Sequence, residues 1–134
     1  MNIVAIGAHP DDLEIFAYGF LAAASSRGDT LILGVATDGA AGGVNQGAEL
    51  ARQRAEEAKN GLAALGTPTL LDLPDGQLAD APNAQNRIKD FIRNAAPDLV
   101  ITHAPEDYHP DHRALAAYVR DAAGFICPVL FCDT

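Results

Sequence analysis

Cysteine is scarce: Cys127 and Cys132 are the chain's two. Both fall in one late apolar stretch, at a spacing along a strand that does not suit a disulfide. Two thiols alone do not make a structural zinc site. They read as small buried hydrophobes in a reducing compartment. A basic run is also missing, and formal net charge is −9. That argues against nucleic acid or an anionic membrane as partner. No apolar run is long enough to span a bilayer. Met1-Asn2 leads straight into a strand pattern, with no secretory leader. Internal repeats, linkers and low-complexity tracts are absent too. What these absences leave is the expectation of a soluble cytoplasmic protein.

What is present is a chain of 134 residues, 49% hydrophobic, enough for one domain with a real core. Strand patterns fall at 2–8, 30–36, 69–73, 98–102 and 128–132. Helix patterns fall between them at 11–27, 48–65, 83–95 and 111–123. Gly28, Gly66 with Pro68, and Pro97 stop the first three helices. A glycine-rich loop, "TDGAAGGVNQG", follows the second strand, and "LPDG" forms a turn after the third. Strands alternating with helices imply right-handed crossovers and a mostly parallel sheet. The expected fold is a Rossmann-like α/β three-layer sandwich of strand order 3-2-1-4-5.

The first turn reads Gly7-Ala8-His9-Pro10-Asp11-Asp12. A dinucleotide fingerprint needs a second glycine where His9 stands, so that backbone can approach a pyrophosphate. Two carboxylates at a helix N-terminus would also repel phosphate. The ligand expected here is a cation.

A near copy of this corner, "HPDH", occurs at 109–112. Proline favours the first helical position. With Pro10 there, His9 is the N-cap, Asp11 is N2 and Asp12 is N3. N-cap and N3 side chains lie close together, so His9 and Asp12 converge while Asp11 aims elsewhere. The same numbering puts His109 at the N-cap, Asp111 at N2 and His112 at N3. Each corner offers imidazole nitrogen and carboxylate oxygen, donors that zinc accepts. Two histidines and one carboxylate fill three places of a tetrahedron and leave the fourth to water. The corners follow strands 1 and 4, neighbours at the switch point of a 3-2-1-4-5 sheet, where ligands bind.

"AHPDDLE" and "HPDH" resemble the paired signatures of the LmbE-like, or PIG-L-type, zinc-dependent N-deacetylases. "TDGAAGG", "RAEEAKNGLAALG" and "LPDG" resemble that family's loop, second helix and turn. The resemblance covers nearly the whole chain, 1–134. It implies a hydrolase that removes acetyl groups from N-acetylglucosaminyl compounds or related small amides. It implies zinc held by His9, Asp12 and His112, with iron an alternative for the same ligand set. Asp11 would be the general base. His109 would stabilise the oxyanion or protonate the leaving amine, and Asp111 would orient or tune a histidine.

Arg54 and Asp75 match positions where the family contacts its sugar. Arg54 reads equally as a helix-surface partner of Glu57, and Asp75 as a plain turn former. Glu14 reads as a partner of a ligand histidine or as a first-turn acid. His103, ending strand 4, reads as a neighbour of the ligands, and Tyr108 as part of the pocket mouth.

The chain departs from the family in three places. "IFAYG" puts Phe16 and Tyr18 where small residues are common, and Ala40 and Ala41 stand where an acid is common. Members also run on past "FCDT", adding sheet and pocket wall. A homo-oligomer that completes the pocket through an exposed edge strand at 128–132 is one expectation. A non-catalytic, metal-binding remnant of the same fold is the other reading. The intact HPDD and HPDH motifs count against that remnant.

Overall fold

The computed structural model describes residues 1–44 and 46–133. The glycine-rich loop is therefore described apart from position 45, and "FCDT" apart from its last residue. Strand β1 (Asn2–Gly7) is the centre of the molecule. Its side chains alternate between two cores: Ile3 and Ala5 belong to one, Val4 and Ile6 to the other. All four are fully buried, as expected of a parallel strand covered on both faces.

The remaining strands are β2 (Thr30–Thr37), β3 (Thr69–Leu73), β4 (Leu99–His103) and β5 (Val129–Cys132). They form a five-stranded sheet of order β3-β2-β1-β4-β5 with every pairing parallel. This is the expected α/β arrangement. On one face lie α1 (Asp12–Phe16), α2 (Tyr18–Ser26) and α3 (Ala48–Leu62), contributing Leu13, Leu21, Ala24 and Leu62 to the core. On the other lie α4 (Ala84–Asn94) and α5 (Pro110–Ala123), contributing Ile88, Ile92, Leu115 and Val119. Each fully buried aliphatic side chain contributes roughly 1.5–3 kcal/mol. No helix among the described residues is long and apolar enough to cross a membrane.

The structure corrects three local expectations and adds one short element. The helix expected over 11–27 is broken at Ala17, whose φ of −125° is not helical. Phe16 and Tyr18, two residues apart, would lie on opposite sides of a regular helix. The break lets both pack against one cluster. Pro10 is not the first helical residue. His9 O accepts the N–H groups of Asp11 and Asp12 in a turn, and α1 begins at Asp12 with Asp11 as N-cap. A short 3₁₀ helix, Leu78–Asp80, places Leu78 in the core. It is too short for sequence periodicity to reveal. The cysteines are half-buried and unpaired, because both lie at or beside the edge strand β5.

Backbone pairing between β1 and β4 stops at Ala5–Ile101. Beyond it, side chains bridge the strands: Thr102 Oγ1 donates to Ile6 O (2.9 Å) and Ala8 N–H donates to His103 Nε2 (3.0 Å). The carboxyl ends of β1 and β4 thus separate, opening the crevice where a 3-2-1-4-5 sheet reverses its winding.

Candidate metal centre

Both HPD corners reach this crevice. Gly7 allows the first one, since a Cβ there would lie 2.8 Å from Asp12 Cβ. Without that side chain, α1 settles onto the strand end and Asp12 Oδ2 accepts His9 N–H at 2.7 Å. The second corner folds as its sequence reads. His109 is the N-cap, Pro110 opens α5, and His109 Nδ1 accepts Asp111 N–H at 3.0 Å.

Three donor atoms from the two corners form a nearly equilateral triangle. His9 Nδ1 lies 3.4 Å from Asp12 Oδ2. His112 Nε2 lies 3.4 Å from the same oxygen and 3.3 Å from His9 Nδ1. A tetrahedral zinc ion with bonds of about 2.0–2.1 Å holds its donors about 3.3–3.4 Å apart. The donor set and spacing fit such an ion.

Other donor groups converge nearby: Asp12 with His103 and His112, His9 with His109 and His112, and His9 with Asp75 and Asp111. His103 fits poorly as a co-ligand of His112. Their rings are stacked 3.6 Å apart at 8°, and imidazole lone pairs point in the ring plane, so two parallel rings cannot both aim at one ion. His103 is fully buried, and its Nε2 lies 3.1 Å from Asp12 Oδ2. Its Nδ1 has no hydrogen-bond partner among the described residues.

Carboxylates back the outer nitrogens of both corner histidines. His9 Nε2 is hydrogen-bonded to Asp111 Oδ2 at 3.0 Å and lies 3.1 Å from Asp75 Oδ1. His112 Nδ1 lies 3.0 Å from Asp107 Oδ1, though out of hydrogen-bond alignment. Such partners fix the tautomer and plane of metal-binding histidines. Asp111 is itself held by the N–H groups of Gly76 (2.8 Å) and Leu78 (3.1 Å). Asp107 escaped the reading of the sequence. Its one signal was an acid two residues before the second HPD, where it accepts His109 N–H at 3.0 Å.

These contacts set the ionisation of the site. Burial opposes a proton on His9, but hydrogen bonds to Asp111 and Asp12 outweigh it and raise the pKa to about 10. Burial also opposes the Asp12 charge, yet the His103, His112 and His9 imidazoles packed around it hold that carboxyl far below its ordinary range. His112 is raised against its burial by Asp12 and Asp107. His103 is lowered, mainly by burial. His109 is lowered by burial and by the neighbouring His9 and His112. Without an ion, the centre is a carboxylate bracketed by His9 and His112, the two histidines whose protons are held more tightly.

A cavity of about 260 Å³ lies over the triangle, lined by both corners, Asp11, Ile15, Gly42, Arg54, Asp75 and Tyr108. Asp11 is exposed to it, and its Oδ1 lies 3.4 Å from Arg54 Nη2. Arg54 Nη1 donates to Gly39 O at 3.1 Å. Arg54 therefore turns to the pocket, and Glu57 pairs with Gln53 instead. A Cβ at Gly42 would press on Arg54 Nη1 and push the guanidinium aside. Ile15 and Tyr108 are mostly exposed and give the rim its apolar surface. Glu14 sits half-buried against Gly61 of α3.

A model of the PIG-L family, described as GlcNAc-PI de-N-acetylase, matches residues 4–123. The uncharacterized deacetylase YaiS of Escherichia coli (strain K12) is 33% identical over 125 residues. That match covers 85% of this chain and 63% of YaiS, so the chain spans less than two thirds of that relative's length. The N,N'-diacetylchitobiose deacetylase of Pyrococcus horikoshii superposes with a TM-score of 0.84 at 27% identity, over 92% of this chain and 49% of that one. The 4-carboxy-2-hydroxymuconate hydratase GalB of Pseudomonas putida KT2440 superposes with a TM-score of 0.80 at 23% identity, over 90% and 55%. A hydratase on the same architecture shows that the fold alone does not fix the reaction. The family match and the level of identity to YaiS are more specific, and by them this chain belongs to the PIG-L, or LmbE-like, deacetylase family.

Proposed function

We propose that this chain is a metal-dependent hydrolase that removes the acetyl group from an N-acetylated sugar or a related small amide. The observation that carries the reading is the triangle of His9 Nδ1, Asp12 Oδ2 and His112 Nε2, with edges of 3.3–3.4 Å. These atoms would hold the ion, zinc by preference, with Fe²⁺ suited to the same donors. When bound, zinc would polarise the acetyl carbonyl and make water a stronger acid.

The chain's own groups supply the rest. Asp11 lines the cavity without joining the triangle, so its carboxylate is free to take the proton of the attacking water. The guanidinium of Arg54, 3.4 Å away, aims that carboxylate. His109 accepts Asp111 N–H at Nδ1. The neutral ring therefore carries its proton on Nε2 and offers it as a hydrogen bond to the developing oxyanion, while the proton that Asp11 takes from water passes on to the leaving amine. Asp111 holds His9 through Nε2, and Asp107 backs His112. The apolar rim of Ile15 and Tyr108 would meet the carbon face of a sugar ring.

Metal analysis of the purified protein, joined to an amine-release assay over N-acetylated sugars, tests this reading. About one divalent metal per chain with amine release on the panel supports it. A metal-free protein that stays inactive after zinc or iron is added overturns it.

A further inference from the structure

We propose that His103, backed by Phe16, fixes the ring plane of His112 by stacking, so that both are positioning residues of the metal centre. This rests on the reading of His112 as a metal ligand. An imidazole lone pair lies in the ring plane, so a turn of the His112 ring swings Nε2 away from the triangle it forms with Asp12 Oδ2 and His9 Nδ1. A metal-binding histidine is commonly held against such turning by a hydrogen bond to its other nitrogen. Asp107 lies 3.0 Å from His112 Nδ1 but out of hydrogen-bond alignment. The plane of this ring is held in another way.

The His103 and His112 rings are nearly parallel, 8° apart in angle and 3.6 Å apart in space. That is van der Waals contact across the whole ring face, and His112 cannot turn without driving an edge into His103. His109 is a looser neighbour of His112, at 4.8 Å and 24°. His103 is itself well held. It is fully buried, and its Nε2 accepts Ala8 N–H at 3.0 Å, which ties it to the residue before His9. Phe16 packs against it with ring centres 4.8 Å apart at 52°. Phe16 is partly buried in the core on that side of the sheet. The aromatic residue that sets "IFAYG" apart from the family pattern thus backs the ring that backs a ligand. Both properties of His103 are needed: the nitrogen satisfies Ala8, and the ring face holds His112.

The test compares wild type with His103→Phe, His103→Gln and Phe16→Ala. Three quantities are read: Zn²⁺ affinity by chelator competition, the visible spectrum of the Co²⁺-loaded protein, and stability in urea with excess chelator. His103→Phe keeps a ring and loses the acceptor for Ala8; His103→Gln keeps an acceptor and loses the ring. Positioning by the stack predicts that His103→Gln lowers Zn²⁺ affinity by about 10–100-fold and shifts the Co²⁺ spectrum. His103→Phe should hold both near wild type despite its lower stability. Phe16→Ala should move both in the same direction as His103→Gln by a smaller amount, and it reads the stack even if the glutamine variant fails to fold. Affinity and spectrum unchanged in both His103→Gln and Phe16→Ala, or affinity that merely follows stability across the variants, would overturn the proposal. So would affinity kept in His103→Gln and lost in His103→Phe, which would assign the role to the ring nitrogen. Wild type that binds neither Zn²⁺ nor Co²⁺ would overturn the functional reading itself, a separate failure.

Discussion

His9 Nδ1 and His112 Nε2 lie 3.3 Å apart, although 103 positions separate the residues in sequence. Two bare lone pairs at that distance repel, so a hydrogen must lie between them in the metal-free protein, or a cation in the metal-bound one. The raised pKa values of both histidines express the first case. Metal uptake must then displace protons. Below the His9 pKa of about 10, apparent zinc affinity should rise by at least about tenfold per pH unit. Competition titrations from pH 6 to 8, with proton release followed in weak buffer, check this.

The same protons govern the stability of the metal-free form. The folded pKa of His9 is raised from 6.5 to about 10. Its contribution is therefore full below 6.5 and lost as pH climbs toward 10. Asp12 is depressed, so its contribution is present above its ordinary value of 3.8 and lost as pH falls through the lowered one. In chelator, the melting temperature should decline through the alkaline range. With zinc bound, the alkaline decline should flatten, because the ion replaces the proton.

Asp11 stands apart from the triangle, with a side chain 56% exposed. Asp11→Asn should keep its metal with unchanged affinity and lose about 10²–10⁴-fold in kcat for amide hydrolysis. Metal content and turnover measured on one preparation check both halves. Full activity in the asparagine variant would mean another group takes the proton.

His103 supports the site from within the core. Its Nε2 accepts Ala8 N–H and its ring stacks on His112. His103→Phe keeps a ring to stack but leaves a buried N–H unpaired, and should cost about 1–3 kcal/mol. His103→Ala also removes the ring and should cost more. Urea denaturation in excess chelator orders the two.

Ala96, just past α4, has a φ of 48°, a left-handed conformation that costs a non-glycine residue roughly 1–2 kcal/mol. Ala96→Gly should raise unfolding free energy by several tenths to about 1 kcal/mol, since glycine's extra unfolded-state entropy offsets part of the relief. The site lies elsewhere, so metal affinity should not move.

Sheet order and the meeting of the two corners were legible in the chain because each rests on a local rule. Alternating strands and helices determine the winding. Pro110 after His109 sets a helix start that the structure reproduces. The first corner departed from that rule because Asp11 and Asp12 first satisfy His9 O in a turn. Asp107 and the contacts of the Pro74–Gly76 turn were hidden for a different reason. Their partners, His112, His9 and Asp111, come from other elements, and contacts across the fold leave no periodicity to read.

Whether His9, Asp12 and His112 share one ion is read out by anomalous diffraction at the zinc edge from a zinc-loaded crystal. A single peak is expected within about 2.0–2.2 Å of His9 Nδ1, Asp12 Oδ2 and His112 Nε2. A zinc peak bound instead between His9 Nε2, Asp75 and Asp111, or no peak in the crevice, would contradict it.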